Sequence, residues 1–208
     1  MIYYSQYQQD KFLNQNFFFN KKGGVFVDIG AYDGLSGSNS AFFEKNLEWT
    51  GICVEPIKSV YEKLIKNRSC KCICAAAWKE NVTKKFKVID GYSEMLSGLT
   101  DCYDSNHINR INSEVQSFSQ KSSDIDVSCV DINEILRKES LFDIDYLSID
   151  TEGSEEEIIK HIDFAKFNIR FISSENNYNS NSLREYLLSV GYKFINRLEI
   201  DDIYQKIK

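Results

Sequence analysis

Residues 24–34, GVFVDIGAYDG, constrain the fold more than any other stretch of the sequence. The run from 25 to 29 is apolar except for Asp28, and glycines stand at positions 30 and 34. Such a run, ending in a glycine turn, is typical of a buried parallel strand. The next residues, SGSNS at 36–40, favour a helix start. Strand, glycine loop and helix form the ligand-binding corner of a doubly wound sheet, so we expect a ligand at the carboxyl end of this strand.

The remaining sequence alternates predicted strands with predicted helices, which indicates an α/β fold with a parallel sheet. Residues 1–22 predict a short helix that packs on the domain edge and could act as a lid. Further strands are predicted at 50–54, 70–77, 144–150, 169–174, 192–200 and 203–208, and helices at 39–47, 58–66, 131–138, 154–161 and 182–190.

The middle of the chain, residues 84–130, has the least regular pattern. Residues 85–89 and 124–130 alternate like exposed strands, and a polar stretch at 91–123 separates them. A long loop in a compact domain is usually functional or mobile. We therefore predict one domain over residues 1–208, with an insertion at 84–130 whose mobile loop lies on the substrate side.

Composition narrows the class of protein. The 208 residues are 42% hydrophobic, enough for one well-packed domain. The net charge of −6 argues against a nucleic-acid partner. No apolar run reaches the length of a membrane span, and the N-terminus lacks the features of a signal peptide. These observations predict a cytoplasmic protein.

The six cysteines are accordingly expected to be reduced. Cys70, Cys72 and Cys74 would share one face of a strand. Metal knuckles use a different spacing, C-x-x-C, so we interpret these three residues as small hydrophobic core residues.

Glu55 follows the predicted second strand, twenty-one positions after Gly34. An acid at this place accepts hydrogen bonds from a ribose diol, which fits a nicotinamide dinucleotide or S-adenosylmethionine. The loop lacks the G-x-G-x-x-G pattern and carries carboxylates at Asp28 and Asp33. Because carboxylates repel a pyrophosphate but suit an ammonium group, the sequence favours S-adenosylmethionine.

A second acidic group follows the strand predicted at 144–150. Asp150 and Glu152 reach the same sheet edge, where they could orient or deprotonate a hydroxyl nucleophile. With Glu175 and Asn176, which end the next strand, they could instead hold a divalent cation. For Glu155 the preferred interpretation is stabilisation of a helix N-terminus.

The two histidines carry weaker signals. His107 lies in the polar stretch, where a solvated loop position is expected although the side chain could reach the pocket. His161 ends a predicted helix, and a structural role there is preferred.

Several of these motifs together resemble the FkbM-like family of S-adenosylmethionine-dependent methyltransferases, and the resemblance covers nearly the whole chain. Its carriers are Ser5-Gln6 with Asp10, residues 26–34, Ser38-Asn39, residues 49–56, 93–99 and 146–155, and the closing residues 201–204.

The resemblance implies a single Rossmann-like class I methyltransferase domain. Its mostly parallel seven-stranded sheet would be flanked by helices and end in an antiparallel strand. The implied activity is O-methylation of a sugar hydroxyl in a glycan, a glycolipid or a glycosylated metabolite.

The resemblance also implies roles for individual residues. Glu55 would bind the ribose hydroxyls, residues 75–76 would border the adenine, and Asp150 would lie beside the methyl group and act with Glu152 in catalysis. Some related enzymes bind magnesium through acids that follow the strands predicted at 144–150 and 169–174. A magnesium site formed by Asp150, Glu175 and Asn176 therefore stays open. The implied substrate-side residues are His107, Glu175 and Asn176. The cofactor set is Asp28, Gly30, Ala31, Tyr32, Asp33, Gly34, Ser38, Asn39, Glu55, Pro56, Ala75, Ala76 and Asp150.

Other functions stay open at this point. The acceptor could be a non-sugar small molecule or a protein, and the chain could be a non-catalytic module that docks a glycosyltransferase. A homodimer is a further alternative. An adenine amino-methyltransferase is disfavoured, because its Asn-Pro-Pro-aromatic loop needs two prolines and Pro56 is the single proline here.

Overall fold

The computed structural model describes residues 1–103, 105–177 and 179–207. Strands, numbered in chain order, are β1 Val25–Ile29, β2 Thr50–Val54, β3 Lys71–Ile73, β4 Ala76–Trp78, β5 Val82–Ile89, β6 Gly98–Leu99, β7 Ser122–Asp131, β8 Asp143–Ile149, β9 Asn168–Glu175, β10 Tyr192–Leu198 and β11 Asp201–Lys206. Helices are α1 Gln9–Leu13, α2 Ala41–Leu47, α3 Lys58–Asn67, α4 Ser105–Ser117, α5 Ile132–Lys138, α6 Glu155–His161 and α7 Ser182–Ser189, with a π-helical turn Asn14–Phe18 and a 3₁₀ turn Glu94–Leu96.

Seven strands form the central sheet in the order β10-β11-β9-β8-β1-β2-β3. β1 is an interior strand and pairs in parallel with β2 and β8, as its almost wholly buried apolar sequence predicts. β11 runs antiparallel to β9 and to β10. The predicted α/β fold with its seven-stranded, mostly parallel sheet and antiparallel C-terminal strand is therefore confirmed. Helices flank the sheet, and one apolar core covers each face.

The middle section forms a second sheet, in the order β4-β7-β5-β6. The two exposed strands predicted here are correct, since β5 and β7 pair antiparallel over eight positions. The loop predicted at 91–123 is wrong, because α4 occupies residues 105–117. Its inward positions, His107, Ile111 and Val115, are spaced four apart among polar residues. Only two of them are aliphatic, so the helical pattern is weak in the sequence.

The strand predicted at 70–77 is divided in two. β3 joins the central sheet and β4 joins the second sheet, which carries the chain from one sheet to the other. The interpretation of three core cysteines is correct only in part. Cys70 and Cys72 are half-buried against the aromatic core, but Cys74 lies exposed at the break between the two strands.

The N-terminal segment packs against the aromatic core on one face of the central sheet, and not at the domain edge; its action as a lid stays a prediction. Phe18 lies in the core, with its ring centroid 4.8 Å from Trp49 and 5.1 Å from Phe171. Gln9 donates a hydrogen bond to the Asp201 carboxylate at the start of β11. This contact ties α1 to the end of the chain, across the top of the sheet.

The other predicted elements match the structure to within a few residues, although the last predicted strand extends to Lys208, which lies outside the described residues. Gly191 has a φ of 90° immediately after α7, as a glycine that ends a helix requires. Within residues 1–103, 105–177 and 179–207, no helix has the length and apolar character needed to cross a membrane.

Candidate active site

A cavity opens at the carboxyl edge of the central sheet, where β1, β2 and β8 end. It encloses about 1090 Å³ including its open mouth. Its walls come from the loop after β1, the end of β2, the start of β4, the end of β8 and the N-terminal segment. The cavity lies where the strand–glycine–helix motif predicted a ligand. Of the predicted cofactor residues, those that line it are Asp28, Gly30, Ala31, Tyr32, Ser38, Asn39, Glu55, Pro56, Ala75, Ala76 and Asp150.

The loop after β1 is fixed by backbone contacts with both neighbouring strands. The amide groups of Gly30 and Ala31 donate to the Val54 carbonyl, at 3.0 and 3.1 Å. Gly30 has a φ of 80°, and a Cβ there would overlap the Asp150 carbonyl oxygen. Only glycine fits this position, because both the φ and the close approach exclude a side chain.

Asp28 is buried in the floor of this loop. The Ser40 hydroxyl donates to its carboxylate at 2.5 Å, and the Ser38 hydroxyl lies at 3.5 Å. Burial raises the pKa of Asp28, while Arg68, 3.9 Å away, lowers it. The carboxylate is therefore held by the protein's own donors.

Arg68 is the buried cation beneath the loop. Its guanidinium donates to the Gly34 carbonyl at 3.2 Å and to the hydroxyls of Ser38 and Ser40 at 3.3 and 2.9 Å. It also pairs with Glu44 on α2. No sequence motif points to Arg68. It directly follows the last residue of α3 and looks like an ordinary basic residue at a helix C-terminus, which gives no signal of its buried contacts.

Asp33 and Gly34 are placed differently from the prediction. The Asp33 carboxylate accepts from the amides of Leu35 and Ser36, at 2.8 and 2.7 Å, and so closes its own turn. Neither residue belongs to the cavity lining. The local turn satisfies Asp33 before it could face a ligand, so both residues shape the loop instead of contacting its occupant.

Glu55 ends β2 inside the cavity. Its two carboxylate oxygens accept from the amides of Tyr32 at 3.1 Å and Ile57 at 2.8 Å. Burial raises the pKa of Glu55 to about 7, although the hydrogen bonds from these two amides oppose the rise. The carboxylate is thus fixed in orientation and keeps lone pairs for further donors.

Asn39 offers a polar atom that the fold leaves unsatisfied. Its Nδ2 donates to the Ser148 hydroxyl at 3.1 Å, while Oδ1 is buried without a hydrogen-bond partner among the described residues. A buried acceptor without a donor is costly, which is consistent with a site that a ligand donor completes.

Three acids meet beside this loop. One carboxylate oxygen each from Asp150, Glu152 and Glu175 lies within 4.8 Å of the others. Burial, with neighbouring carboxylates, raises the pKa of Asp150 and of Glu175 well above the usual range and that of Glu152 to about 8. Asp150 and Glu152 line the cavity, as predicted. The group can hold a proton near neutral pH.

Glu155 has the structural role preferred from the sequence. Its carboxylate accepts from the amides of Thr151 and Gly153, at 2.7 and 3.0 Å, before α6. These contacts fix the turn that carries Asp150 and Glu152.

His107 is not a solvated loop residue. It lies on α4 with 2% of its surface exposed, and its ring stacks on Tyr103 at 4.4 Å. Its Nδ1 lies 3.8 Å from Oε2 of Glu152. The solvated position preferred from the sequence is therefore wrong, because the helix that buries His107 was not predicted; His107 contacts Glu152 but does not itself line the cavity.

Asn176 also differs from the prediction. Its Nδ2 donates to the Ser180 carbonyl and to the Asp202 carboxylate, at 2.9 and 3.0 Å. Its side chain serves the loop after β9, and it does not join the acidic group described by Asp150, Glu152 and Glu175. The predicted cation set of Asp150, Glu175 and Asn176 is therefore not formed.

Asp201 is a cavity residue that sequence analysis did not assign. It lines the cavity from the start of β11, and burial raises its pKa to about 6. The only signal was its place in the closing acidic pair 201–202, which in a sequence looks like a turn.

The fold and site define a Rossmann-like α/β domain with an acidic ligand cavity at the carboxyl edge of its sheet. Residues 28–194 match the model of the methyltransferase FkbM domain. The chain therefore belongs to the FkbM methyltransferase domain family.

Comparison with solved structures gives matches of low sequence identity. The crystal structure of methyltransferase FkbM from Methylobacillus flagellatus KT is 14% identical, with a TM-score of 0.48 over 89% of this chain. The present chain covers 44% of that protein, less than half of its length. TrmK from M. capricolum, solved with S-adenosyl-homocysteine, is 15% identical, with a TM-score of 0.45 over 94% of this chain and 68% of TrmK. A search of curated proteins gave no significant match.

Proposed function

We propose that this protein is an S-adenosylmethionine-dependent O-methyltransferase that acts on a hydroxyl group of a sugar. The observation that carries the proposal is the placement of Asp150 and Glu152 in the same cavity as Glu55 and the Gly30 loop. One cavity thus combines an acid suited to a ribose diol with acids suited to a hydroxyl nucleophile. The sugar acceptor follows the family resemblance, and a cytoplasmic location is also part of the proposal.

The chain's own residues fit S-adenosylmethionine at three points. The unsatisfied Oδ1 of Asn39 suits the ammonium group of the methionine moiety. The fixed carboxylate of Glu55 suits the ribose hydroxyls. The buried small side chains of Ala75, Ala76 and Ala77 offer a flat apolar wall for the adenine. When bound, the cofactor supplies a methyl group activated on a sulfonium.

Asp150 and Glu152 act on the acceptor. In its deprotonated form either acid accepts the hydroxyl proton, and in either form it can hold the hydroxyl in line for attack; general-base assistance contributes roughly a hundredfold or more. The raised pKa of about 8 lets Glu152 exchange a proton close to neutral pH. Positioning supplies the rest of the acceleration, because it removes the entropy of bringing two molecules together.

The proposal requires no metal ion. The oxygens of Asp150, Glu152 and Glu175 lie close enough to bind a divalent cation. The raised pKa values of the three acids also fit a group that binds protons in place of a cation. We assign these acids to proton transfer and substrate orientation.

Ligand binding provides the first test. S-adenosylhomocysteine at about a hundred times its Kd should stabilise the protein by roughly 2.7 kcal/mol, and the reduced nicotinamide cofactors should not. Absence of any thermal shift with S-adenosylhomocysteine or S-adenosylmethionine would contradict the cofactor assignment.

Transfer provides the second test. Labelled methyl groups should pass from S-adenosylmethionine to members of a panel of monosaccharides and glycan fragments, with chelator and magnesium as separate arms. We expect incorporation that the chelator does not abolish. If a parallel panel of non-sugar hydroxyl compounds took up the methyl group and the sugars did not, the methyltransferase activity would stand and the sugar acceptor would be refuted.

A further inference from the structure

Three cysteine thiols meet where β2 and β3 pair. Cys53 lies in β2, Cys72 occupies the opposite position in β3, and Cys70 stands two residues earlier. The Sγ atoms of Cys53 and Cys70 are 3.5 Å apart, and both residues are free thiols. A disulfide joins its sulfurs at about 2.05 Å, so a movement of about 1.5 Å would bring these two to bonding distance.

The two thiols differ in access to solvent. Cys70 is half-buried, whereas Cys53 is fully buried in the aromatic core. An oxidant in solution therefore reaches Cys70 and Cys72, which are both half-buried, but not Cys53. Of the two accessible thiols, Cys70 is the one whose sulfur lies 3.5 Å from that of Cys53. A buried thiol beside an accessible one is the arrangement in which a resolving cysteine captures an oxidised neighbour.

We propose that Cys53 and Cys70 form an oxidative modification site that closes as a reversible disulfide in the presence of a peroxide. Hydrogen peroxide oxidises the Cys70 thiol to a sulfenic acid and is itself reduced to one water. The Cys53 sulfur then attacks the Cys70 sulfur, the S–O bond breaks, and the hydroxyl leaves as a second water with the proton of Cys53. A dithiol reductant reverses the reaction by thiol–disulfide exchange.

This bond would act on the ligand cavity through Arg68. The amides of Ser69 and Cys70 donate to Oε1 of Glu44, at 2.7 and 2.8 Å, and the Arg68 guanidinium pairs with the same carboxylate. Arg68 in turn holds the Gly34 carbonyl and the hydroxyl of Ser38, a cavity residue. Movement of Cys70 toward Cys53 therefore displaces the segment that supports the β1 loop.

The expected consequence is weaker cofactor binding by the oxidised protein. Loss of one charge-assisted hydrogen bond from Arg68 corresponds to a roughly tenfold increase in Kd. This effect on affinity rests on the proposed function, whereas formation of the disulfide does not.

The experiment treats the whole chain with hydrogen peroxide and maps peptides by mass without reduction, then measures the Kd of S-adenosylhomocysteine before and after a dithiol is added. We expect a Cys53–Cys70 peptide lacking two hydrogen atoms, a roughly tenfold higher Kd in the oxidised protein, and recovery of both with the dithiol. Cys70→Ser should abolish the cross-linked peptide and the change in Kd. Cys74→Ser, which alters an exposed cysteine, should abolish neither.

Each failure has a distinct meaning. Peroxide treatment that yields no Cys53–Cys70 peptide, or a Cys70–Cys72 bond instead, overturns the modification site. A disulfide that forms with an unchanged Kd overturns its action on the cavity. A reduced protein that does not bind S-adenosylhomocysteine refutes the proposed function and leaves the disulfide result intact.

Discussion

Oε2 of Glu152 lies 3.8 Å from Nδ1 of His107, although 45 positions separate the two residues in the chain. This oxygen is buried without a hydrogen-bond partner among the described residues. The contact exists because α4 folds back over the end of β8. It joins the second sheet's helix to the acids of the cavity, so that the middle section forms part of the candidate site.

The first prediction concerns stability against pH. Neighbouring groups that set the pKa of Glu152 are Glu155, Glu114 and Asp201, which raise it, and Arg110, which lowers it; burial is the largest cause. The pKa rises from 4.5 to about 8 on folding, so between these values the folded chain keeps a proton that the unfolded chain has released. The free energy of unfolding should therefore fall as pH rises through this window.

Glu152→Gln tests this assignment by removing the titrating group. In the variant, the free energy of unfolding should fall less steeply as the pH rises. At pH 8 the variant should be more stable than the parent, by an amount on the order of 1–3 kcal/mol. Denaturant unfolding at several pH values measures the effect. Glu62→Gln, at an exposed position of α3, serves as the control and should keep the parent's slope. An unchanged slope in Glu152→Gln would contradict the raised pKa.

The second prediction concerns catalysis by Asp150. Asp150→Asn keeps the shape of the side chain but removes its ability to take up a proton, so methyl transfer should fall roughly a hundredfold or more. Cofactor affinity, measured separately by titration, should change much less. Asp143→Asn, at the exposed start of the same strand, should leave transfer unaffected. Turnover unchanged in Asp150→Asn would refute the catalytic assignment.

The third prediction compares two glycines with similar backbone angles. Gly30 and Gly191 have φ values of 80° and 90°, but a Cβ meets the Asp150 carbonyl only at Gly30 and open space at Gly191. Gly191→Ala should cost about 1 kcal/mol from backbone strain. Gly30→Ala should cost roughly 3 kcal/mol or more, because strands β1 and β8 must separate. Equal losses of stability would show that the close approach is unimportant.

The fourth prediction concerns the buried cation beneath the loop. Arg68→Met removes the partner of Glu44 and Asp28 and leaves their carboxylates buried without a guanidinium. Removal of one member of a buried ion pair typically destabilises by about 3–5 kcal/mol. Lys66→Met, an exposed change in the same helix, should alter stability by less than about 0.5 kcal/mol. Thermal and denaturant unfolding distinguish these outcomes, and a stable Arg68→Met variant would contradict the role given to Arg68.

Much of the central sheet follows from local sequence. The strands β1, β2, β8 and β9 are mostly buried and rich in apolar residues, and their ends carry the acids predicted for the cavity. Asp28, Glu55 and Asp150 line the cavity as predicted. A strand end places its next residue at the sheet edge whatever the rest of the fold does, and this makes such residues predictable.

The errors occur where distant contacts override a local pattern. α4 has few apolar residues, and its burial depends on contact with Ile89 at the end of β5 and with Leu96 in the following 3₁₀ turn. Asp33 is captured by amides of its own turn, and Asn176 by the Asp202 carboxylate. Spacing along a sequence does not reveal which of several donors an acid or amide will meet.

The sequence by itself determined the α/β class, the strand–glycine–helix corner and the family, because these depend on apolar periodicity and on short motifs. The tertiary structure decided which side chains share the cavity and how readily its acids keep their protons. It brought Arg68 beneath the loop, Asp201 into the lining and His107 against Glu152. Burial and through-space charge act over distances that the order of residues does not encode, so the raised pKa values of the acids arise only in the folded chain.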